Sequence, residues 1–348
     1  MGVSFPAGII DKTHLIWDDA VRIGLLSSNM GVAMNKYLLA AVLLSLGVAS
    51  FASADEPQVV CKGFLPPNDL KIPVGDVNAL GMGEASFNAV LDRIEAVYKP
   101  IFAAKGAKLR VNRKWTDDTV NAGAMQFNAT WVINMFGGLA RHEAVTPEGF
   151  ALVACHELGH HVGGFPKKER AWAATEGQAD YFATLKCLRL VLTGTEDTSK
   201  LDPFAVKACK AAFADAADRK FCESGALAGM SITSLYRAVR REPMRDAFST
   251  PDPAMVGVTL EEHPQIQCRL DTFFQGALCA KPVTEEVSDK DPVSGACTSA
   301  KGFRVGLRPR CWYKAPANQD GPSVASRPES AKDLEKTIEA MRRALSGS

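Results

Sequence analysis

The residues most able to do chemistry lie together in Cys155-His156-Glu157-Leu158-Gly159-His160-His161. A spacing of four residues is just over one helical turn, so His156 and His160 point the same way and can share one metal ion. Glu157 follows the first histidine and lies beside that face, where it can take a proton from a water activated by the metal. Such a site needs a third protein ligand and an open position if it is to be catalytic. Glu176 is the best candidate, because the Gly163-Gly164-Phe165-Pro166 turn can bring the next helix back to the first. Asp180 lies one turn further on the same face, placed to accept the free N–H of a ligating histidine and fix its tautomer. His161 points about 100° away from His160 on a helix and is rejected as a ligand. Cys155 also points away from the metal face and reads as a core or disulfide residue.

The elements that must position these residues carry their own signals. Thr146 is a helix N-cap, Pro147 fits the first helical position and Glu148 suits the positive end of the dipole. The helix should run to about His161 and stop at Gly163-Gly164. The second ligand helix is expected from Glu169 to about Leu192. Phe87, Val90, Leu91, Ile94 and Val97 recur at three- to four-residue spacing and predict a helix over Glu84 to Val97. Lys108 to Val111 and Val120 to Phe136 read as strands, with a turn near Phe127-Asn128. Further helices are expected around Pro203 to Asp218, Ser231 to Arg240 and Pro264 to Phe274. Beyond Cys279 the chain is rich in Gly, Pro and Cys, the composition of a loop-rich, disulfide-stapled end. Residues 314–330 read as a disordered linker, and Ala331 to Leu345 as a short amphipathic helix.

H-E-x-x-H followed by Glu176-Gly177-Gln178-Ala179-Asp180 resembles the gluzincin zinc metallopeptidases. More narrowly, the chain is similar to the HtpX-like and CAAX prenyl endopeptidase family. Val120-Asn121-Ala122 resembles that family's N-A strand, Gly138-Leu139 its strand end, Glu176 to Asp180 its E-x-x-A-D helix, and His263-Pro264 with Arg269 its H-P-x-x-x-x-R segment. The similarity spans roughly Val120 to Arg269. Many members carry transmembrane helices near the site, which this sequence lacks.

The resemblance implies one zinc ion held by His156, His160 and Glu176, with Glu157 as catalytic base. It implies an α+β, zincin-like fold: a small, mostly antiparallel sheet packed on the two zinc-bearing helices, above a disulfide-linked helical lower subdomain. Asn121 and Ala122 would lie on an edge strand that pairs with an extended peptide substrate. His263 or Arg269 would steady the oxyanion, with Tyr181 and Tyr236 as weaker candidates. His263-Pro264 is equally a helix start, and Arg269 equally the structural partner of a buried carboxylate.

Composition sets the frame. Hydrophobic residues make up 47% of the chain and charged residues 23%, an ordinary globular balance, and a net charge of +1 without basic clusters argues against nucleic acid. Met34 to Ala54 reads as a signal peptide: Lys36, an apolar run from Tyr37 to Phe51, then Ala52-Ser53-Ala54. Residues 1–33 are then expected to be upstream sequence, with the mature chain starting near Asp55 and no stable membrane insertion after cleavage; the alternative is a cytoplasmic N-terminal arm with a single membrane anchor. All nine cysteines (61, 155, 187, 209, 222, 268, 279, 297 and 311) lie beyond that point, the usage of an exported, disulfide-bonded domain over residues 55–313. The odd number leaves at least one thiol free or paired between chains. A periplasmic or secreted peptidase is thus the leading expectation. A zinc-stabilised envelope chaperone that rarely cleaves, and a metal hydrolase of non-peptide substrates, are the alternatives.

Overall fold

The computed structural model describes residues 63–316, apart from Asn78 and Arg170. The expected signal peptide, the segment before it, Cys61 and the C-terminal helix lie outside the described residues. Helix α1 (Glu84–Ala104) buries Phe87, Val90, Leu91 and Ile94. It runs past Val97 because Tyr98 and Phe102 continue the same apolar stripe. Strands β1 (Lys108–Lys114), β2 (Ala122–Phe127) and β3 (Thr130–Phe136) form a three-stranded sheet of order β1-β3-β2. The β2–β3 hairpin turns at Asn128, whose φ of 51° is the left-handed region that asparagine tolerates.

The sheet corrects the expectation of a mostly antiparallel one. β2 pairs antiparallel with β3, but β1 pairs parallel with it, so the sheet is mixed. The central strand is the last in sequence, and strand periodicity carries no information about such pairing. β2 lies at the edge, and α2 (Gly137–Arg141) follows β3 directly. A Cβ at Gly138 would lie 1.9 Å from the Asp118 carbonyl oxygen, so only glycine fits there.

Helix α3 (Pro147–Val162) is buried along nearly its whole length. Helix α4 (Glu176–Phe182) continues through a π-helical turn (Ala183–Cys187) into α5 (Leu188–Val191). The expected start at Glu169 is seven residues too early. The backbone before Glu176 is committed elsewhere: Lys168 N–H donates to Ala173 O, Ala174 N–H to His160 O and Thr175 N–H to Pro166 O.

Helices α6 (Pro203–Ala212), α7 (Ala216–Arg240) and α8 (Ile266–Leu278) form the helical part below. The predicted helix over Pro203 to Asp218 divides at Phe213. Asp215 caps a new helix by accepting from the N–H groups of Ala217 and Asp218, so α7 starts well before Ser231. One apolar core joins the sheet, α1, α3 and part of α7. A second lies among α6, α7 and α8, and a third surrounds Trp312. The disulfides Cys155–Cys187, Cys209–Cys222, Cys268–Cys311 and Cys279–Cys297 tie these parts together. Cys155 is thus a disulfide residue, as expected. No helix among the described residues is long and apolar enough to cross a membrane.

Candidate metal centre

The centre starts from the cap of α3. Thr146 Oγ1 accepts from the Gly149 N–H at 3.1 Å and Pro147 occupies the first turn, which sets the helix register. His156 and His160 then project from one face, with ring centroids 4.7 Å apart. Glycine brings α4 against that helix, since a Cβ at Gly159 would lie 3.0 Å from Ala179 Cα. Glu176, in the first turn of α4, thereby reaches both imidazoles. Its Oε2 is 3.2 Å from His156 Nε2 and 3.6 Å from His160 Nε2.

Each imidazole is oriented from behind. His156 Nδ1 lies 2.7 Å from Asp180 Oδ1, and His160 Nδ1 lies 2.9 Å from the Ala174 carbonyl oxygen. Both acceptors call for the Nδ1–H tautomer, which leaves the Nε2 lone pairs facing Glu176. Both oxygens of Glu157 are buried without a hydrogen-bond partner, and His156 Nε2 and His263 Nε2 have no polar neighbour but the shared Glu176 Oε2, at 3.2 and 3.1 Å. Such a concentration of orphaned polar atoms calls for an ion or a reactant.

The donors fit a metal. His156, His160 and Glu176 each offer one atom, all within 4.8 Å of one another. Two ligands held about 2.0–2.1 Å from a tetrahedral ion stand roughly 3.4 Å apart, between the two separations found. His263 is outside that group. The other cluster among the described residues, Asp252 with Cys268 and Cys311, holds no free thiolate because the two cysteines are bonded to each other.

Charge is arranged to match. Burial pushes the Glu157 carboxyl up to about 7, against the pull of the His156 imidazole. Burial alone would depress His156, but Asp180 and Glu176 outweigh it and push it up to about 9, so without an ion the ring also carries a proton at Nε2, which a metal would displace. Burial holds His160 down at about 3. Burial would also raise the Glu176 carboxyl, yet His160, His156 and His263 around it hold it well below the usual carboxylate range.

The remaining expected site residues divide. His263 Nε2 lies 3.1 Å from Glu176 Oε2, so the chain does bring it to the centre. Arg269 is buried behind it. Its Nε donates to Asp180 Oδ2 at 2.7 Å, its Nη2 to Asp180 Oδ1 at 2.6 Å and its Nη1 to Phe64 O at 3.3 Å. That guanidinium is therefore the partner of a buried carboxylate, the alternative set beside the oxyanion reading of Arg269, and its bonds to Asp180 and Phe64 turn it away from that role. The hydroxyls of Tyr181 and Tyr236 are likewise committed, to the carbonyls of Gly306 and Phe64.

Asn121 and Ala122 do stand at the sheet edge, but the chain's own lead-in occupies them. Phe64 N–H donates to Ala122 O at 3.0 Å, and Asn121 Oδ1 accepts from the Leu65 N–H at 2.9 Å. Their expected pairing with a substrate is corrected accordingly. Because backbone groups alternate along a strand, those of Ala124 and Gln126 face outward like those of Ala122.

Three contributors escaped the sequence. Phe64 packs edge-on to His156 at 4.9 Å between centroids. His161, not taken as a ligand, stacks between Trp131 and Trp172, with Nδ1 3.1 Å from Gln126 Nε2 and Nε2 3.2 Å from Val132 O. Lys168 Nζ lies 2.8 Å from Glu176 Oε1. All are long-range or loop-borne contacts, and only the aromatic character of Phe64, Trp131 and Trp172 could have signalled any of them. No family model, curated protein or solved structure matches the chain.

Proposed function

We propose that the protein is a zinc-dependent endopeptidase of the gluzincin kind, exported to an oxidising compartment, which hydrolyses extended segments of protein or peptide substrates. The observation that carries this reading is the Glu157 carboxylate, buried and unpartnered beside the His156–His160–Glu176 donor group. A purely structural ion site has no use for such a base. Two imidazoles and one carboxylate at tetrahedral spacing favour zinc with one position left open.

His156, His160 and Glu176 would hold the ion, which when bound supplies Lewis acidity toward a carbonyl and toward water. Glu157 would accept the proton of the attacking water at a carboxylate oxygen and deliver it to the leaving amine nitrogen. His263 Nε2 would donate to the carbonyl oxygen as charge grows there. Asp180 and Arg269 keep the His156 ring oriented. The outward backbone groups of Ala124 and Gln126 would pair with the substrate chain, which favours peptides over compact substrates. The disulfides and the signal-like Met34 to Ala54 support export.

Metal analysis of the purified protein, followed by casein digestion with and without a chelator, tests the proposal. It requires about one zinc per chain, fragments of casein, and loss of both on chelation with recovery on adding zinc. Zinc bound without any cleavage of casein or of a peptide library would favour a metal-stabilised binding protein instead.

A further inference from the structure

We infer that Lys168 is a positioning residue of the metal centre, holding one oxygen of Glu176 so that this carboxylate meets the ion through its other oxygen alone. The inference rests on the metal-hydrolase reading above. Its basis is how the two oxygens of one buried carboxylate are shared out. Glu176 Oε2 faces His156, His160 and His263 at 3.2, 3.6 and 3.1 Å, while Oε1 lies 2.8 Å from Lys168 Nζ.

The Lys168 side chain is only 12% exposed and that of Glu176 2%. Lysine is seldom so enclosed unless paired, and a charge-assisted bond between enclosed groups is directional and strong. The lysine is also delivered by a shaped turn. Lys168 N–H donates to Ala173 O at 2.8 Å, Ala171 N–H donates to Lys168 O at 3.2 Å, and Lys167 bridges antiparallel to Ala174. That turn carries the Ala174 carbonyl that orients His160. One short loop therefore sets the free oxygen of the third ligand and the tautomer of the second.

The consequence concerns coordination number. A carboxylate with both oxygens free can close on an ion through both, and the second would take up the open position that catalysis needs. With Oε1 held by an ammonium group, Glu176 presents a single donor. Lys168 touches neither the reacting atoms nor the ion; it acts through Glu176.

The test uses the full chain loaded with Co(II), whose visible absorption reports coordination number, together with zinc affinity measured against a competing chelator. In Lys168→Met the cobalt band should weaken toward that of a higher-coordinate site, zinc affinity should change by about 10-fold or more, and kcat should fall with KM within about twofold of wild type. Lys168→Arg, which keeps the charge and the donor, should restore most of the spectrum and affinity. A Lys168→Met protein with the wild-type cobalt spectrum and zinc affinity within about twofold would overturn the inference while leaving the peptidase reading intact. A wild-type protein that binds neither metal would overturn both. Should the Met variant fail to fold by circular dichroism, Lys168→Gln is read against the same two outcomes.

Discussion

At the scale of the residue, the candidate centre depends on atoms that would not touch an ion held there. Asp180 links His156 to Arg269, and all three side chains are buried to within 1% of full enclosure. Burial opposes the Asp180 charge, but Arg269 and His156 hold its carboxyl below the ordinary range. Asp180→Ala would leave the Arg269 guanidinium buried and unpaired, a loss of about 3–5 kcal/mol. It would also free the His156 ring and weaken metal binding by about 10–100-fold. Urea denaturation and chelator competition on the purified variant check both, and an unchanged unfolding midpoint would contradict the pairing. Asp271 shows the opposite balance. Burial pushes its carboxyl up to about 7, with Asp252 and Asp246 adding to the rise while the Asp252 N–H and Gln267 oppose it. A carboxyl raised above its unfolded value of about 3.9 takes up protons on folding. Its contribution to stability is therefore full below about pH 4 and is lost as pH rises through about 7. Replacing Asp271 by Asn should flatten this part of the melting-temperature profile between those limits; a profile as steep as wild type would argue against it.

At the scale of the element, what was readable from sequence follows from how local each signal is. The start of α3 was legible because Thr146, Pro147 and Glu148 act within one turn, and the His156–His160 pairing because helical spacing fixes it. The pairing of β1 with β3 was not legible, since parallel register depends on tertiary placement. Nor was the loop before α4, where bonds to His160 and Pro166 override the helix-favouring residues of 169–175. Asn121 and Ala122 were rightly placed at an edge but assigned the wrong neighbour, because Phe64 and Leu65 lie far away in sequence. The Cys155–Cys187 disulfide ties α3, which carries His156 and His160, to the π-helical turn after α4 and closes a loop of 32 residues. Chain-entropy arguments give such a bridge about 3–4 kcal/mol. A Cys155→Ala/Cys187→Ala protein should lose about that much in denaturant titration, and a loss under about 1 kcal/mol would mean that packing alone holds the two helices.

At the scale of the whole molecule, the parts converge on α3. The sheet, α1 and α7 enclose it, α4 supplies Glu176 as the third donor of the candidate centre, and the lead-in at Phe64 and the segment carrying His263 close on it from elsewhere in the chain. Burying two imidazoles and two carboxylates at the centre of a domain is costly unless an ion or a reaction justifies them. The Nδ1 atoms of both histidines and the Asp180 carboxylate are satisfied from within, while both oxygens of Glu157 are not. The central claim is that Glu157 is the base beside a metal held by the other three residues. Its most direct test is Glu157→Gln, assayed for zinc content and for kcat on an unfolded protein substrate. The account predicts one zinc per chain, as in the wild type, with kcat reduced at least about 100-fold. A variant that keeps its zinc and cleaves at the wild-type rate would contradict it.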